Sequence, residues 1–139
     1  MIKLYEQLSE LCATFLTPLT NLAARIYIGL DFFRSGLAKI GDFEETLELF
    51  EEDWIVPLLP SNVSAYLATA GELVLPIMLF LGLFTRIGAA GLFVMALVIE
   101  IFVFPGTVQH YYWMIILAML VAQGGNKLSL DNFLLKIKQ

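Results

Sequence analysis

Residues 64–104 read SAYLATAGELVLPIMLFLGLFTRIGAAGLFVMALVIEIFVF, and this stretch decides the fold. Only Glu72, Arg86 and Glu100 carry charge in it. About 20 apolar residues of helix cross a hydrocarbon core, so a run of this length holds two crossings. The first is expected over about 64–84, with Pro76 inside it, and the second over about 87–104, with Arg86 in the turn between them. Upstream, about 19–38 forms a less pure apolar segment containing Arg25, Asp31 and Arg34. Downstream, about 108–123 forms another after Pro105-Gly106. It ends at Gly124-Gly125, because glycine tolerates the left-handed conformation that closes helices. The expectation is all-α: a single domain over residues 1–139, an integral membrane four-helix bundle made of two hairpins.

Composition agrees. The chain is 59% hydrophobic and 15% charged, against about 45–50% and about 25% for soluble domains. The net charge of −5 comes without a basic patch, which argues against nucleic acid as a partner. Cys12 is the only cysteine, so no intramolecular disulfide or redox thiol pair can form. One histidine and scattered carboxylates match no metal-ligand spacing, and no metal is expected. No phosphate-binding glycine loop or nucleophile triad occurs. Met78, Met95, Met114 and Met119 are read as core packing.

The flanks carry one-sided stripes. Leu4, Leu8, Leu11, Cys12, Phe15 and Leu16 recur at helical spacing beside Glu6 and Glu10. This is no cleavable signal, and it predicts an interfacial helix over 1–18. Phe43, Leu47, Phe50 and Trp54 predict a second amphipathic helix within an acidic segment over 42–60. Val56-Pro57-Leu58-Leu59-Pro60 is expected to pack back onto the bundle, before Ser61 or Ser64 caps the second crossing. Leu130, Phe133, Leu134 and Ile137 predict a third amphipathic helix over 129–138, capped by Ser129 or Asp131. Trp54, Tyr66, Tyr111, Tyr112 and Trp113 fall at one expected interface, where amphipathic rings collect. Lys3, Arg86, Lys127, Lys136 and Lys138 fall on the opposite side, which has the larger share of Lys and Arg. By the positive-inside rule both termini face the cytoplasm.

Charges within the crossings cost at least about 2.5–3.5 kcal/mol each, so they must face one another, water or a ligand. Arg25, Gly29, Phe32, Gly36 and Lys39 share one helical stripe, which glycine lets a neighbouring backbone approach. Arg25 therefore points inwards, with Glu72 its expected partner and Glu100 the competitor. Glu100 and His110 form a second, outer pair. Pro76 frees a backbone carbonyl near Glu72. Arg25, Glu72, Glu100 and His110 thus outline a polar pocket. Asp31 and Arg34, three residues apart, form a separate ion pair. The constellation is either a salt-bridge network that sets helix register or a site for a headgroup, a quinone or protons.

Three motifs together resemble the DoxX family of small bacterial membrane proteins. They are Arg25-x3-Gly29-x2-Phe32-x3-Gly36-x2-Lys39, then Glu72 followed by Gly82-Leu83-Phe84-Thr85-Arg86, then Gly125-Asn126-Lys127-Leu128-Ser129-Leu130-Asp131. The resemblance covers about residues 19–131, and the acidic 43–60 insert resembles only a subset of the family. It implies a bacterial inner (cytoplasmic) membrane protein of four helices. The family is similar to a small membrane subunit of archaeal thiosulfate:quinone oxidoreductase, which implies a quinone-linked role beside a soluble redox or sulfur-handling protein. Other members accompany the making of small cysteine-rich exported peptides. Any electron transfer would need a borrowed cofactor, and quinone is the one implied. Two further readings stay open: a small-solute transporter or lipid-binding module, and a non-catalytic assembly or scaffold protein.

Overall fold

The computed structural model describes residues 1–57 and 59–137. The expectations placed on Leu58, on Lys138 and on the side chain of Ile137 lie outside the described residues. Helices account for nearly everything described, and no strand occurs among those residues. They are α1 (Ile2–Leu11), α2 (Thr17–Gly41), α3 (Phe43–Glu52), α4 (Ser61–Leu81), α5 (Thr85–Val98), α6 (Val108–Gln123) and α7 (Leu130–Ile137). Two π-helical turns, Cys12–Leu16 and Ile99–Val103, join α1 to α2 and extend α5.

Three helices are long and apolar enough to cross a membrane: Ile2–Gly41, Ser61–Leu81 and Thr85–Val103. The helix α6 has only 16 residues. Leu67, Val74, Ile87, Val94, Ile101, Ile115 and Met119 all point outwards. An apolar exterior this wide is that of a membrane protein, since soluble monomers keep such patches small.

The N-terminus departs from expectation. No turn separates an interfacial helix from the first crossing. The two form one helix of 40 residues, about 60 Å long at 1.5 Å per residue. Pro18 has no N–H to donate, and the preceding π turn absorbs the mismatch without breaking the rod. All of residues 1–17 are exposed.

The helix α4 starts three residues earlier than expected, at Ser61, and ends at Leu81. Pro60 occupies its N-cap, so neither Ser61 nor Ser64 caps it. Gly82, at φ 64°, closes it in the left-handed region, and Leu83 N–H bonds back to the Met78 carbonyl. The acidic α3 forms as its periodicity predicts. Asp42 caps it by accepting from Glu45 N–H at 3.1 Å, and Thr46 and Phe50 turn inwards. Ser129 caps α7 through Asn132 N–H at 3.2 Å.

In contact are α2 with α4, α4 with α5, α5 with α6 and α6 with α2. The shared core is Ile28, Phe32, Leu79, Ala89, Leu92, Ala96, Leu117 and Leu120. Glycine sets the α2–α4 register. A Cβ on Gly36 would come within 3.0 Å of Glu72 Cβ, and one on Gly29 would strike the Phe80 ring. Small residues here bring backbones together, as is usual between membrane helices.

Candidate functional site

The antiparallel register puts Gly36 level with Glu72, while the long Arg25 side chain reaches the Leu79 carbonyl. Arg25 lies eleven residues before Gly36 on α2, so its backbone is about 16 Å along the axis from the level of Glu72, at 1.5 Å per residue. The expected Arg25–Glu72 pair does not form. Lys39, one turn beyond Gly36, takes Glu72 instead, with Nζ 2.7 Å from Oε2. Lys39 also donates to Ser35 Oγ at 2.8 Å and lies 5.4 Å from the centre of the Trp54 ring.

Glu100 and His110 do meet. The π turn carries Glu100 inwards, and Pro105 then turns the chain back on itself. Oε1 of Glu100 accepts from Gly106 N–H at 2.7 Å and from Tyr111 O–H at 2.8 Å. Oε2 lies 2.8 Å from His110 Nδ1. Both residues are buried. Trp113 packs against His110, with ring centres 5.1 Å apart, and against Phe32 at 4.9 Å.

Between these two pairs lies a cavity of about 440 Å³. Lys39, Glu72 and His110 line it, with Ser35 and Ser64 the other polar members of a mostly apolar wall. Phe50 and Trp54 cover it from α3 and the segment that follows. Leu67 and Val94 line it too, yet each is more than half exposed. The cavity thus reaches the apolar exterior between α4 and α5. The buried Ser64 hydroxyl has no hydrogen-bond partner among the described residues.

Two expectations need correction. Arg25 is fully buried but belongs to the opposite end of the fold. Its Nη1 donates to the Leu79 carbonyl at 3.2 Å, and its Nη2 to the Leu128 carbonyl. Asp31 and Arg34 form no ion pair among the described residues. Asp31 accepts instead from Trp113 Nε1–H at 3.1 Å, across to α6. Two residues three apart can meet on a helix, but the indole leads Asp31 inwards.

Arg25 is part of a strap. The chain from Gly124 to Asp131 runs under the α4–α5 turn. Asn21 donates to the Gly124 carbonyl at 3.2 Å. Arg86 donates to the Val121 carbonyl at 3.2 Å. Asp131 accepts from Phe84 N–H at 2.7 Å and Thr85 N–H at 2.9 Å, and so caps α5 rather than α7. The start of the first motif, the turn of the second and the whole of the third meet here.

The sequence reading missed Lys39, Ser35 and Ser64 as cavity residues. Lys39 was legible as a member of the Arg25 stripe. What was missing was the α2–α4 register, because 19 residues separate Gly41 from Ser61.

The sequence profile of the DoxX family matches residues 20–105, more than half of the chain. The chain belongs to the DoxX family. A Haemophilus influenzae protein, itself described only as uncharacterized, is 27% identical over 128 residues, covering 84% of this chain and 83% of that protein. No solved structure matches. Within this DoxX-family chain the matched region includes the cavity residues Lys39 and Glu72, and Glu100 beside it, while His110 and Trp113 come from beyond the match.

Proposed function

We propose that this is a four-span inner-membrane protein, with both termini cytoplasmic, whose cavity holds the ring of a quinone in the service of a soluble redox partner. In this reading α6 crosses as the fourth span, tilted partners compensating for its length, and α3 lies on the extracytoplasmic side. The distribution of charge supports the orientation. Arg86 and Lys127 lie at the strap end, and the carboxylates of α3 at the other.

The observation that carries the reading is the cavity itself. Its volume falls in the range of small-molecule sites, about 300–1,000 Å³. Its wall is mostly apolar, with a few convergent polar groups. It reaches the exterior at Leu67 and Val94, a route suited to a ligand dissolved in lipid. The unpartnered Ser64 hydroxyl and Lys39 are the groups that would donate to ring oxygens. A bound quinone would supply two-electron, two-proton carrier chemistry that this chain's own side chains lack. The apolar lining equally supports a second reading, in which the cavity holds a lipid chain.

Trp54 and Trp113 are the only tryptophans of the chain, and both line the cavity. Decylubiquinone should therefore quench the fluorescence of the purified protein saturably and raise its unfolding temperature. Ala68→Phe, which fills the cavity from α4, should abolish both effects. Saturable binding of a phospholipid with no effect of decylubiquinone would favour the lipid reading. Quenching unchanged by Ala68→Phe would remove the cavity from consideration.

A further inference from the structure

We infer that Glu100 is a specificity-determining residue: it fixes the tautomer of His110 so that the cavity selects a ligand whose head donates a hydroxyl hydrogen bond. This rests on the cavity being a binding site for a ring-bearing amphiphile.

An imidazole has two nitrogens, and a neutral one carries a single N–H. Which nitrogen holds that proton is set by the partner of the other. In His110, Nδ1 lies 2.8 Å from Glu100 Oε2. The carboxylate is held by two other groups that donate, Gly106 N–H and Tyr111 O–H, both on Oε1. An ionised carboxylate can only accept. Nδ1 must then carry the proton, and Nε2 is left with a lone pair. Nε2 has no hydrogen-bond partner among the described residues, and His110 lines the cavity. The cavity therefore presents an acceptor at this point. A phenol or a hydroquinone satisfies it with an O–H. An ether or a quinone carbonyl offers only lone pairs and leaves Nε2 unmatched. An acceptor that a bound ligand covers without bonding is the costly case, because water is then shut out.

Glu100→Gln reverses the logic while preserving shape. The amide oxygen can still accept from Gly106 and Tyr111. The amide nitrogen now donates to Nδ1, and the proton moves to Nε2. The cavity then presents a donor. Glu100 is a positioning residue here, since it acts on the ligand through His110.

The test uses the full chain, with 4-heptylphenol and its methyl ether 4-heptylanisole as matched probes. Tryptophan quenching or calorimetry reads the two dissociation constants. The wild type should bind the phenol about tenfold more tightly, the size of one well-made hydrogen bond. In Glu100→Gln that ratio should fall to within about twofold. His110 is the only histidine of the chain. A sample labelled with ¹⁵N-histidine thus shows one imidazole, whose nitrogen shifts report the tautomer directly, even if the variant does not fold. The expected wild-type state is Nδ1–H. Finding Nε2–H in the wild type, or equal affinity for the two probes, would overturn the inference while leaving the cavity a binding site. If neither probe nor decylubiquinone binds, the cavity reading itself fails, and this inference with it.

Discussion

Lys39→Met tests the Lys39–Glu72 pair in the cavity wall. Methionine keeps most of the stem volume and removes the charge. In the wild type, Nζ sits 2.7 Å from Glu72 Oε2 and 2.8 Å from Ser35 Oγ. The two side chains are 11% and 3% exposed. Water can reach little of either charge. The substitution leaves a buried carboxylate without its cation, and breaking one side of a buried pair costs about 3–5 kcal/mol. Losing the ammonium near Trp54 adds about 0.5–1 kcal/mol. The total is about 3.5–6 kcal/mol. The Lys39→Met/Glu72→Gln double variant removes both charges, and replacing a whole buried pair is often close to neutral. It should recover at least about half of the loss on the same ground. The assay is equilibrium unfolding of purified protein in mixed micelles, with Lys39→Met, Glu72→Gln and the double variant forming a cycle. A Lys39→Met loss below about 1 kcal/mol, the level of an exposed pair, would refute the argument. So would strict additivity across the cycle, because coupled partners cannot be additive.

Two other predictions use different ends of the molecule. Arg25→Lys should loosen the strap, because an ammonium cannot reproduce the planar fork that reaches the Leu79 and Leu128 carbonyls together. Each charge-assisted bond is worth about 1.5–3 kcal/mol, so trypsin should cut at Lys127 at least about tenfold faster in the folded variant; an unchanged rate would show that Arg25 does not hold the strap. Cys12 is exposed and is the only cysteine. A membrane-impermeant maleimide should label the unmodified protein in inverted inner-membrane vesicles and spare it in intact spheroplasts, and the reverse pattern would invert the proposed topology.

Much of the helix content was legible because its causes are local. The apolar run over residues 64–104 lacks the apolar–polar alternation of a membrane strand, so helix is how its backbone satisfies itself in oil. Asp42 before Glu44 and Glu45, with Phe43, Leu47 and Phe50 on one face, is sufficient for α3. The Glu100–His110 contact was legible for the same reason: ten residues and one Pro-Gly turn separate them. The join of α1 to α2 was not legible because a one-sided apolar stripe suits a separate interfacial helix as well as a continuation, and a π turn lets the helix run on through Pro18.

Local pattern was enough to place the helical segments and to show that a few charges within them need partners. Which partners they take is a matter of how the helices pack: Glu72 meets Lys39, while Arg25 meets backbone carbonyls. Glu72 could reach Arg25 or Lys39, both on one stripe of α2. The choice fell to Lys39 because Gly36 lets α4 come close at the level of Glu72, which leaves Arg25, eleven residues and about three turns back along α2, at the strap. Side-chain pairing between helices depends on their axial register. That register is set by how two surfaces interlock, a property neither segment carries alone.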